Sequence, residues 1–410
     1  MKKLLGWAGI GLVLAGTAWA QETCHWRNIS QRYYRVVGDY GSEIVSIFFS
    51  DGAFAWANDE VGGDAVLEAS HWMANSNWIR QEHERFTGMI DFQLAQPTDP
   101  TCIAQTGQDV SYHENDDGDL QPGHSWPERF TIQADTNLVV DNLTGLMWTR
   151  NATAGAGSWD VAVVASHIIE RFGYDDWRLP SVLEMESLVD AGELLPALIF
   201  LHPFNNLATN YWTGTGDTLD TNKAWVVGIQ DGTVARWART NTAPAYWPVR
   251  SHTTGKAPVP KTGQTLSLLA GDDGDLQPGV AWPVPRFTIM ADTNLVFDNL
   301  CGRMWTRQIG IGATTSWALA IDHCTGMTLG GYDDWRLPTR REVLSLIDYG
   351  SPTLLPAGHP FTGTPAVPFW TSTSYRPLPA NYAWGIDGGY LGAYLKTSIG
   401  GGVWPVRGEW

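Results

Sequence analysis

The sequence predicts an α+β fold in which two tandem domains follow a smaller N-terminal segment. The eight residues Gly-Tyr-Asp-Asp-Trp-Arg-Leu-Pro occur twice without change, at 173–180 and 331–338. An identity of this length inside one chain indicates an internal repeat. Each copy lies between two helix-like segments, and short apolar runs typical of strands surround it. The 410 residues allow two or three domains.

The first 104 residues match neither repeat. Residues 1–20 have the features of a signal peptide, with Lys2 and Lys3, an apolar run and a final Ala-Trp-Ala. We therefore expect export, with a secreted, periplasmic or cell-surface location and no integral membrane segment after cleavage. Residues 21–104 are expected to form a small α+β or β-rich segment. Its predicted elements are strands at Arg35–Val37 and Ile44–Phe49 and a helix from Ala65 to Trp78.

The elements of the two repeats, residues 105–250 and 262–410, are predicted in order. Strand-like runs at 129–132, 138–140 and 146–148 come first, and a helix is expected from Ser158 to Phe172. The eight-residue crossing leads to a second helix, where Ser-x-x-Glu and Thr-x-x-Glu are capping boxes. Later strands turn at Asp231-Gly232. A linker rich in Pro, Gly and Thr, residues 251–261, separates the repeats.

The repeated motifs resemble those of the Lcl C-terminal domain family. Besides Asp-Asp-Trp-Arg-Leu-Pro, each repeat contains Asp-Asp-Gly-Asp-Leu, Asp-Asn-Leu, Met-Trp-Thr and a final Trp-Pro-Val-Arg. The crossing is also distantly similar to formylglycine-generating enzymes, whose fold is C-type-lectin-like. The resemblance implies two tandem C-type-lectin-like domains. Those enzymes need reactive thiols late in the domain, and Cys301 and Cys324 lie early, so their activity does not carry over.

The crossing residues are interpreted as structural. Arg178 and Arg336 are expected to form an ion pair or a backbone clamp, because Trp and Leu on either side place them near the core. Catalytic use is the minority interpretation. Asp190 and Asp348, which close the second helices, are also interpreted as structural. The structural motif consists of Asp176, Trp177, Arg178, Pro180, Asp334, Trp335, Arg336 and Pro338.

Charge and missing motifs exclude several functions. The formal net charge is −17, and residues 105–250 carry 8 basic and 19 acidic side chains, against 11 and 12 in residues 251–410. An acidic surface argues against nucleic acid and phospholipid headgroups as partners. The chain has no zinc-protease, serine-hydrolase, phosphate-loop or dinucleotide signature.

Four cysteines in an exported protein indicate disulfides. Cys301 and Cys324 are both absent from the first repeat, as expected of a bonded pair. The sequence therefore predicts Cys301–Cys324, which leaves Cys24–Cys102 as the second pair.

The Asp-Asp-Gly-Asp loops are candidate calcium sites. Three carboxylates within four residues suit a hard cation, although the spacing is not that of an EF-hand. Asp and Gly are also ordinary turn residues, so a hydrogen-bonded loop is the alternative. The candidate ligands are Asp116, Asp117, Asp119, Asp272, Asp273 and Asp275.

Aromatic residues on the last hairpins are candidate ligand-binding residues. Trp237 and Tyr394 occupy matching positions beside Arg236, Arg239 and Lys396. An aromatic ring beside basic groups can hold a sugar. The alternative is that these are half-buried strand residues.

These patterns predict an exported, non-enzymatic binding protein, lectin-like or adhesin-like, that recognises a glycan or an extracellular protein. A structural envelope or matrix component is the main alternative, and an enzyme of the formylglycine-generating type is the other. Sequence alone does not separate the structural and binding roles, and it does not fix the oligomeric state.

Overall fold

The computed structural model describes residues 103–408, except for positions 127, 169, 311–314, 364–367 and 388–389, together with six strands before residue 84. The chain divides into two compact units, residues 1–99 and residues 100–410. Both repeats lie in the second unit.

The described part of the first unit consists of β-strands. Four of them, β2 to β5, form an antiparallel sheet in chain order, and β1 pairs with β6. Strand β1 lies within the predicted signal peptide, which stays a prediction. The strands are β1 Lys2–Trp7, β2 Gly38–Tyr40, β3 Glu43–Ser50, β4 Ala53–Glu60, β5 Gly63–Ser70 and β6 Trp78–His83.

One element predicted in this unit is wrong. The helix expected from Ala65 is strand β5 as far as Ser70, and it pairs with β4 through Trp56↔Leu67 and Ala57↔Val66. The apolar residues of this stretch fit a helical period poorly, and cross-strand pairing decides its conformation. The strand at Ile44–Phe49 is confirmed within β3. The strand at Arg35–Val37 lies outside the described residues.

The first repeat contains three small helices and two groups of strands. Strand β15 closes a four-stranded sheet of order β15-β9-β8-β7, and β10 to β14 belong to a larger sheet. Its elements are α1 Asp117–Leu120, β7 Phe130–Ile132, β8 Leu138–Asp141, β9 Leu146–Thr149, β10 Gly155–Ala156, α2 Trp159–His167, α3 Val182–Ser187, β11 Asn210–Gly216, β12 Lys223–Gly228, β13 Val234–Ala238, β14 Ala245–Tyr246 and β15 Val249–Ser251.

The second repeat has nearly the same elements. A four-stranded sheet of order β16-β17-β18-β22 matches that of the first repeat. The elements are α4 Asp273–Leu276, β16 Phe287–Ile289, β17 Leu295–Asp298, β18 Arg303–Thr306, α5 Trp317–Thr325, α6 Arg340–Leu346, β19 Phe369–Ser374, β20 Tyr382–Asp387, β21 Tyr390–Leu395 and β22 Val406–Arg407. The α+β prediction is confirmed, with more sheet than helix.

The crossing is locked by a buried ion pair, as its structural interpretation requires. In the first repeat both Arg178 Nη atoms donate to Glu184 of the capping box, at 2.6 and 2.7 Å. Backbone hydrogen bonds join Arg178 to Val249 of the closing strand in both directions. Asp176 instead pairs with Arg250 at 2.6 Å. The crossing is therefore bonded to the closing Trp-Pro-Val-Arg through both its backbone and its side chains.

The second repeat has the same arrangement and one additional arginine. Arg336 pairs with Glu342 of the second capping box, and Asp334 pairs with Arg407 at 2.6 Å. Arg303 of β18 also donates to Glu342, at 2.8 Å. Although burial raises the pKa of Glu342, the charges and hydrogen bonds of its arginine partners outweigh that effect and lower the pKa to about 2.

The two repeats share one sheet and one core. Strand β13 of the first repeat pairs with β21 of the second at Val234↔Leu391, which joins both halves into an eight-stranded sheet of order β10-β14-β11-β12-β13-β21-β20-β19. A single hydrophobic cluster contains buried residues from both repeats, including Trp225, Trp247 and Trp404. The two repeats therefore belong to one compact unit.

Each repeat also begins with a segment that bonds to the other repeat. The buried Asp117 carboxylate accepts hydrogen bonds from Thr106 of its own segment and from Thr373 at the end of β19, both at 2.6 Å. Gln108 strengthens the contact, because its Oε1 accepts from the Ser374 backbone at 2.7 Å. We call this Asp–Thr–Thr group the first latch.

The second latch is the reciprocal of the first. Asp273 accepts hydrogen bonds from Thr262 at 2.8 Å and from Thr215 on β11 of the first repeat at 2.6 Å. The Gly216 backbone donates to Gln264 at 3.1 Å. The opening segment of each repeat thus docks onto a long strand of its neighbour.

Candidate functional site

The basic residues predicted to bind a ligand are engaged inside the molecule. Arg236 donates to the Tyr390 hydroxyl and pairs with Asp217 at 3.1 Å. Its guanidinium also lies 4.1 Å from the centroid of the Tyr390 ring. Because Tyr390 belongs to the second repeat, Arg236 helps to join the repeats.

Arg239 and Lys396 occupy equivalent places in the two repeats. Arg239 lies over Trp159 at 4.5 Å and pairs with Asp160 at 2.6 Å. Lys396 lies over Trp317 at 3.5 Å and donates to Ser374 at 2.8 Å. Burial lowers the pKa of Lys396 to about 8. These side chains anchor helices α2 and α5.

The two predicted aromatic residues are half-buried. Trp237 packs against the cluster around Trp159, and Tyr394 against the cluster around Trp317. Both keep an exposed part, which agrees with the half-buried strand alternative. Their ligand-binding role stays a prediction.

The Asp-Asp-Gly-Asp loops form short capped helices. Asp116 accepts from the Asp119 and Tyr112 backbones at 3.0 and 2.8 Å, and Asp272 caps the second loop in the same way. Asp117 and Asp273 belong to the latches, and Asp119 and Asp275 accept from nearby backbone groups. Within the described residues no group of three or more His, Cys, Asp or Glu side chains is placed to hold a metal ion. Calcium stays a prediction.

The predicted Cys301–Cys324 disulfide is wrong. Cys324 is a free, buried thiol on α5, and it packs against Trp317 and Ala320. Burial raises its pKa above the usual range. Cys301 is disulfide-bonded, but not to Cys324. The predicted Cys24–Cys102 pair lies outside the described part of the chain.

A polar cavity of about 260 Å³ lies beside the C-terminal end of α3 in the first repeat. Three chain segments that are distant in sequence form it: the opening segment, the loop after α1 and the loop after α3. Three carboxylates line it, and among its described lining residues there is no Lys, Arg or His. The lining residues are Gln105, Thr106, Gly107, Gln108, Asp109, Gln121, Trp126, Asp190, Gly192, Glu193, Ile199 and Phe200.

Asp190 is the most deeply buried of these carboxylates, with 5% of its surface exposed. Its Oδ1 accepts a hydrogen bond from the Gly192 backbone at 2.9 Å, and its Oδ2 accepts none within the described residues. A Cβ on Gly107 would lie 2.0 Å from Oδ1, so only glycine fits there. Burial raises the pKa of Asp190 to about 6, against the lowering effects of the Gly192 hydrogen bond and Arg341.

The second repeat holds the loops around the cavity in place. Arg341 on α6 donates to the backbone carbonyls of Gln105, Ser187 and Val189 at 2.6, 2.9 and 2.5 Å. Arg376 donates to the Gly192 carbonyl at 2.5 Å. The cavity is therefore shaped by both repeats, although its lining side chains all come from the first.

An apolar loop of residues 195–201 borders the cavity. Leu195, Phe200 and Leu201 are 69%, 75% and 83% exposed. Leu195 and Leu201 have φ angles of 59° and 62°, a left-handed conformation that is rare for a bulky side chain and costs about 1–3 kcal/mol. We call these three residues the apolar rim.

The equivalent place in the second repeat has lost most of these features. Asp348 matches Asp190, and a Cβ on Gly263 would meet its carboxylate at 2.3 Å. However, Thr265 and Ser351 stand where the first repeat has Asp109 and Glu193. Residues 198–201 are replaced by the single Gly358, so the apolar rim is missing. Asp190 was predicted to be structural. Between this aspartate and the shared His-Pro-Phe the first repeat is one residue longer than the second, which is the sequence signal that the two loops differ.

The shared crossing, its buried Arg–Glu pairs and its closing strand define a tandem α+β repeat protein. The chain belongs to the Lcl C-terminal domain family, which matches residues 137–250 and 294–407, together more than half of its length. This confirms the resemblance and its tandem arrangement. No curated protein matches the chain.

The helices in the described part of the chain are all too short or too polar to cross a membrane.

Proposed function

We propose that this protein is an exported, non-enzymatic binding protein that recognises an extracellular protein through the Asp190 cavity and the apolar rim. The rim carries the proposal. Three large apolar side chains are held in water beside a cavity, two of them by strained backbone. Exposed apolar groups clustered in this way are typical of protein interaction sites.

The proposal includes a C-type-lectin-like fold for each repeat. Helices α2 and α3, short antiparallel strands and a closing strand β15 beside β9 support it. In such a domain the core fixes the helices and end strands, so recognition falls to loops. The cavity and the apolar rim lie in loops.

Glycan recognition at the hairpins is the second candidate. It is supported by Trp237 and Tyr394, whose rings are partly exposed at matching positions. The basic residues around them are bound to carboxylates, hydroxyls and aromatic rings of the same chain, so they offer fewer hydrogen bonds to a sugar than the sequence suggests.

Peptide and glycan arrays, probed in parallel with the chain from Gln21, test both candidates. We expect sequence-selective peptide binding that the double variant Phe200→Ser/Leu201→Ser abolishes. Ile399→Ser is the matched control, because Ile399 is equally exposed, at 75%, in the second repeat. Each array is run with calcium and with chelator.

Two outcomes would contradict the protein-binding proposal. Selective glycan binding that Trp237→Ala or Tyr394→Ala removes would establish the hairpin site instead. An absence of binding on both arrays would favour the structural role.

A further inference from the structure

We infer that the Asp190 cavity is a subsite for one cationic side chain, the ammonium of a lysine or the guanidinium of an arginine, on the protein partner. This inference deepens the proposed function and rests on it. The assignment follows from a buried carboxylate with a free oxygen, from the charge of the lining and from the size of the cavity.

The Asp190 carboxylate has unused hydrogen-bonding capacity. The residue is almost fully buried, yet Oδ2 accepts nothing within the described residues and is not one of their buried, unsatisfied side-chain atoms. Oδ2 is therefore accessible from the cavity. A ligand that enters the cavity can donate a hydrogen bond to it.

The charges around the cavity favour a cation. Asp109, Asp190 and Glu193 line it, and no described lining residue is basic. The nearest guanidiniums are already engaged. Arg341 is bound to three carbonyls and lies 3.9 Å from Glu186, and Arg129 is paired with Asp141 at 2.7 Å. Arg376, at the edge, donates to a carbonyl. An anionic ligand would meet three carboxylates.

The size of the cavity favours a single side chain. Its volume of about 260 Å³ lies below the roughly 300 Å³ at which sites for whole small-molecule ligands begin. A lysine or arginine head can reach Asp190 while its alkyl stem lies along Ile199 and Phe200. The apolar rim then contacts the neighbouring apolar residues of the partner.

Ligand-observed NMR with single amino-acid amides tests the subsite directly. The probes are Nα-acetyl-lysine amide and Nα-acetyl-arginine amide, with the uncharged Nα-acetyl-norleucine amide as the control ligand. We expect the two cationic probes to bind the chain from Gln21 and the norleucine probe to bind much more weakly. Asp190→Asn should weaken the cationic probes about 10- to 100-fold, because a charge-assisted hydrogen bond is lost.

Asp348→Asn is the matched control variant, because Asp348 is the equivalent carboxylate of the second repeat, where the flanking acids and the apolar rim are missing. It should leave the affinity for both cationic probes unchanged. Equal affinity of the lysine probe for the wild type and Asp190→Asn would overturn the subsite. Equal affinity for the lysine and norleucine probes would overturn it as well.

The outcomes separate this inference from the proposed function. Rim-dependent peptides with no enrichment of Lys or Arg would retain the function and remove the subsite. Asp190-dependent binding of the lysine probe, without any peptide binding on the array, would retain the subsite and remove the proposed protein partner.

Discussion

At the scale of single residues, Asp190 shows how a buried carboxylate is held at the expense of stability. Its carboxylate is buried against Gly107 and Gly192, close to Arg341 and Arg129 and beside Glu193 and Asp109. The two guanidiniums lower its pKa, but burial dominates and raises it to about 6. The folded chain therefore holds a proton on Asp190 more tightly than the unfolded chain does.

We expect Asp190→Asn to stabilise the fold at pH 7.5 by about 1–3 kcal/mol. Since the folded pKa lies above the unfolded value of 3.8, the penalty is absent below about pH 4 and complete above about pH 6. The stabilisation should therefore vanish near pH 3.5. Urea unfolding of wild type and variant at both pH values measures it. A variant that is no more stable at pH 7.5 would show that water solvates this carboxylate.

At the scale of structural elements, the two crossings differ in one ion pair. Among the described residues, Glu184 forms an ion pair with Arg178 alone, whereas Glu342 pairs with Arg336 and Arg303 in a fully buried group. The residue that matches Arg303 in the first repeat is Leu146. Removing the carboxylate should therefore lower the free energy of unfolding more at the second crossing than at the first.

We expect Glu342→Gln to destabilise the protein by about 3–5 kcal/mol, because two buried guanidiniums lose their counter-ion. Glu184→Gln leaves one buried guanidinium without its counter-ion, so it should destabilise the protein less. The folded pKa of Glu342 lies at about 2, below its ordinary value of 4.5, so its stabilising contribution is present above pH 4.5 and is lost as the pH falls through 2. Chemical denaturation at pH 7 compares the two variants, and equal losses would contradict the role of Arg303.

The latches give a second prediction at this scale. Thr373→Val keeps the side-chain shape but removes a donor to Asp117, so we expect a loss of about 1–3 kcal/mol at pH 7.5. Burial raises the pKa of Asp117 to about 6, and the loss should be smaller at pH 4, where the carboxyl is neutral. Thr215→Val, which removes a donor to Asp273, should cause the same loss of stability. The exposed Thr397→Val is the control, and a loss as large there would assign the effect to threonine removal in general.

The elements also show what could be predicted from the sequence. Capping boxes and strand runs within each repeat act locally, so Ser181, Thr339 and the strand at 138–140 were predicted correctly. The β13–β21 pairing rests on one residue pair between distant edges, and no local pattern indicates it. The cavity needs segments about ninety residues apart, and Asp190 looks like any helix-ending carboxylate until those segments meet.

At the scale of the whole molecule, the two repeats are one folding unit. They share the eight-stranded sheet, the central cluster and both latches. Separating them would expose the β13 and β21 edges and leave Asp117 and Asp273 each without one donor. Exposed edges and unpaired buried carboxylates both destabilise a fragment.

We therefore expect residues 105–261 alone to lack a cooperative unfolding transition, and the same for residues 262–408. Mixing the two fragments should restore the transition, because each carries the docking strand for the other. Circular dichroism during heating measures both results. A fragment that melts cooperatively within a few degrees of the intact chain would contradict the shared fold.

The reciprocal latches also fix how many copies can assemble in this way. The opening segment of the first repeat is bound by the second, and that of the second is bound by the first, so the exchange is closed. A third repeat added to the chain would find both docking strands already filled. Both docking contacts are made within one chain. They therefore cannot continue from chain to chain into a filament, as docking in one direction would allow.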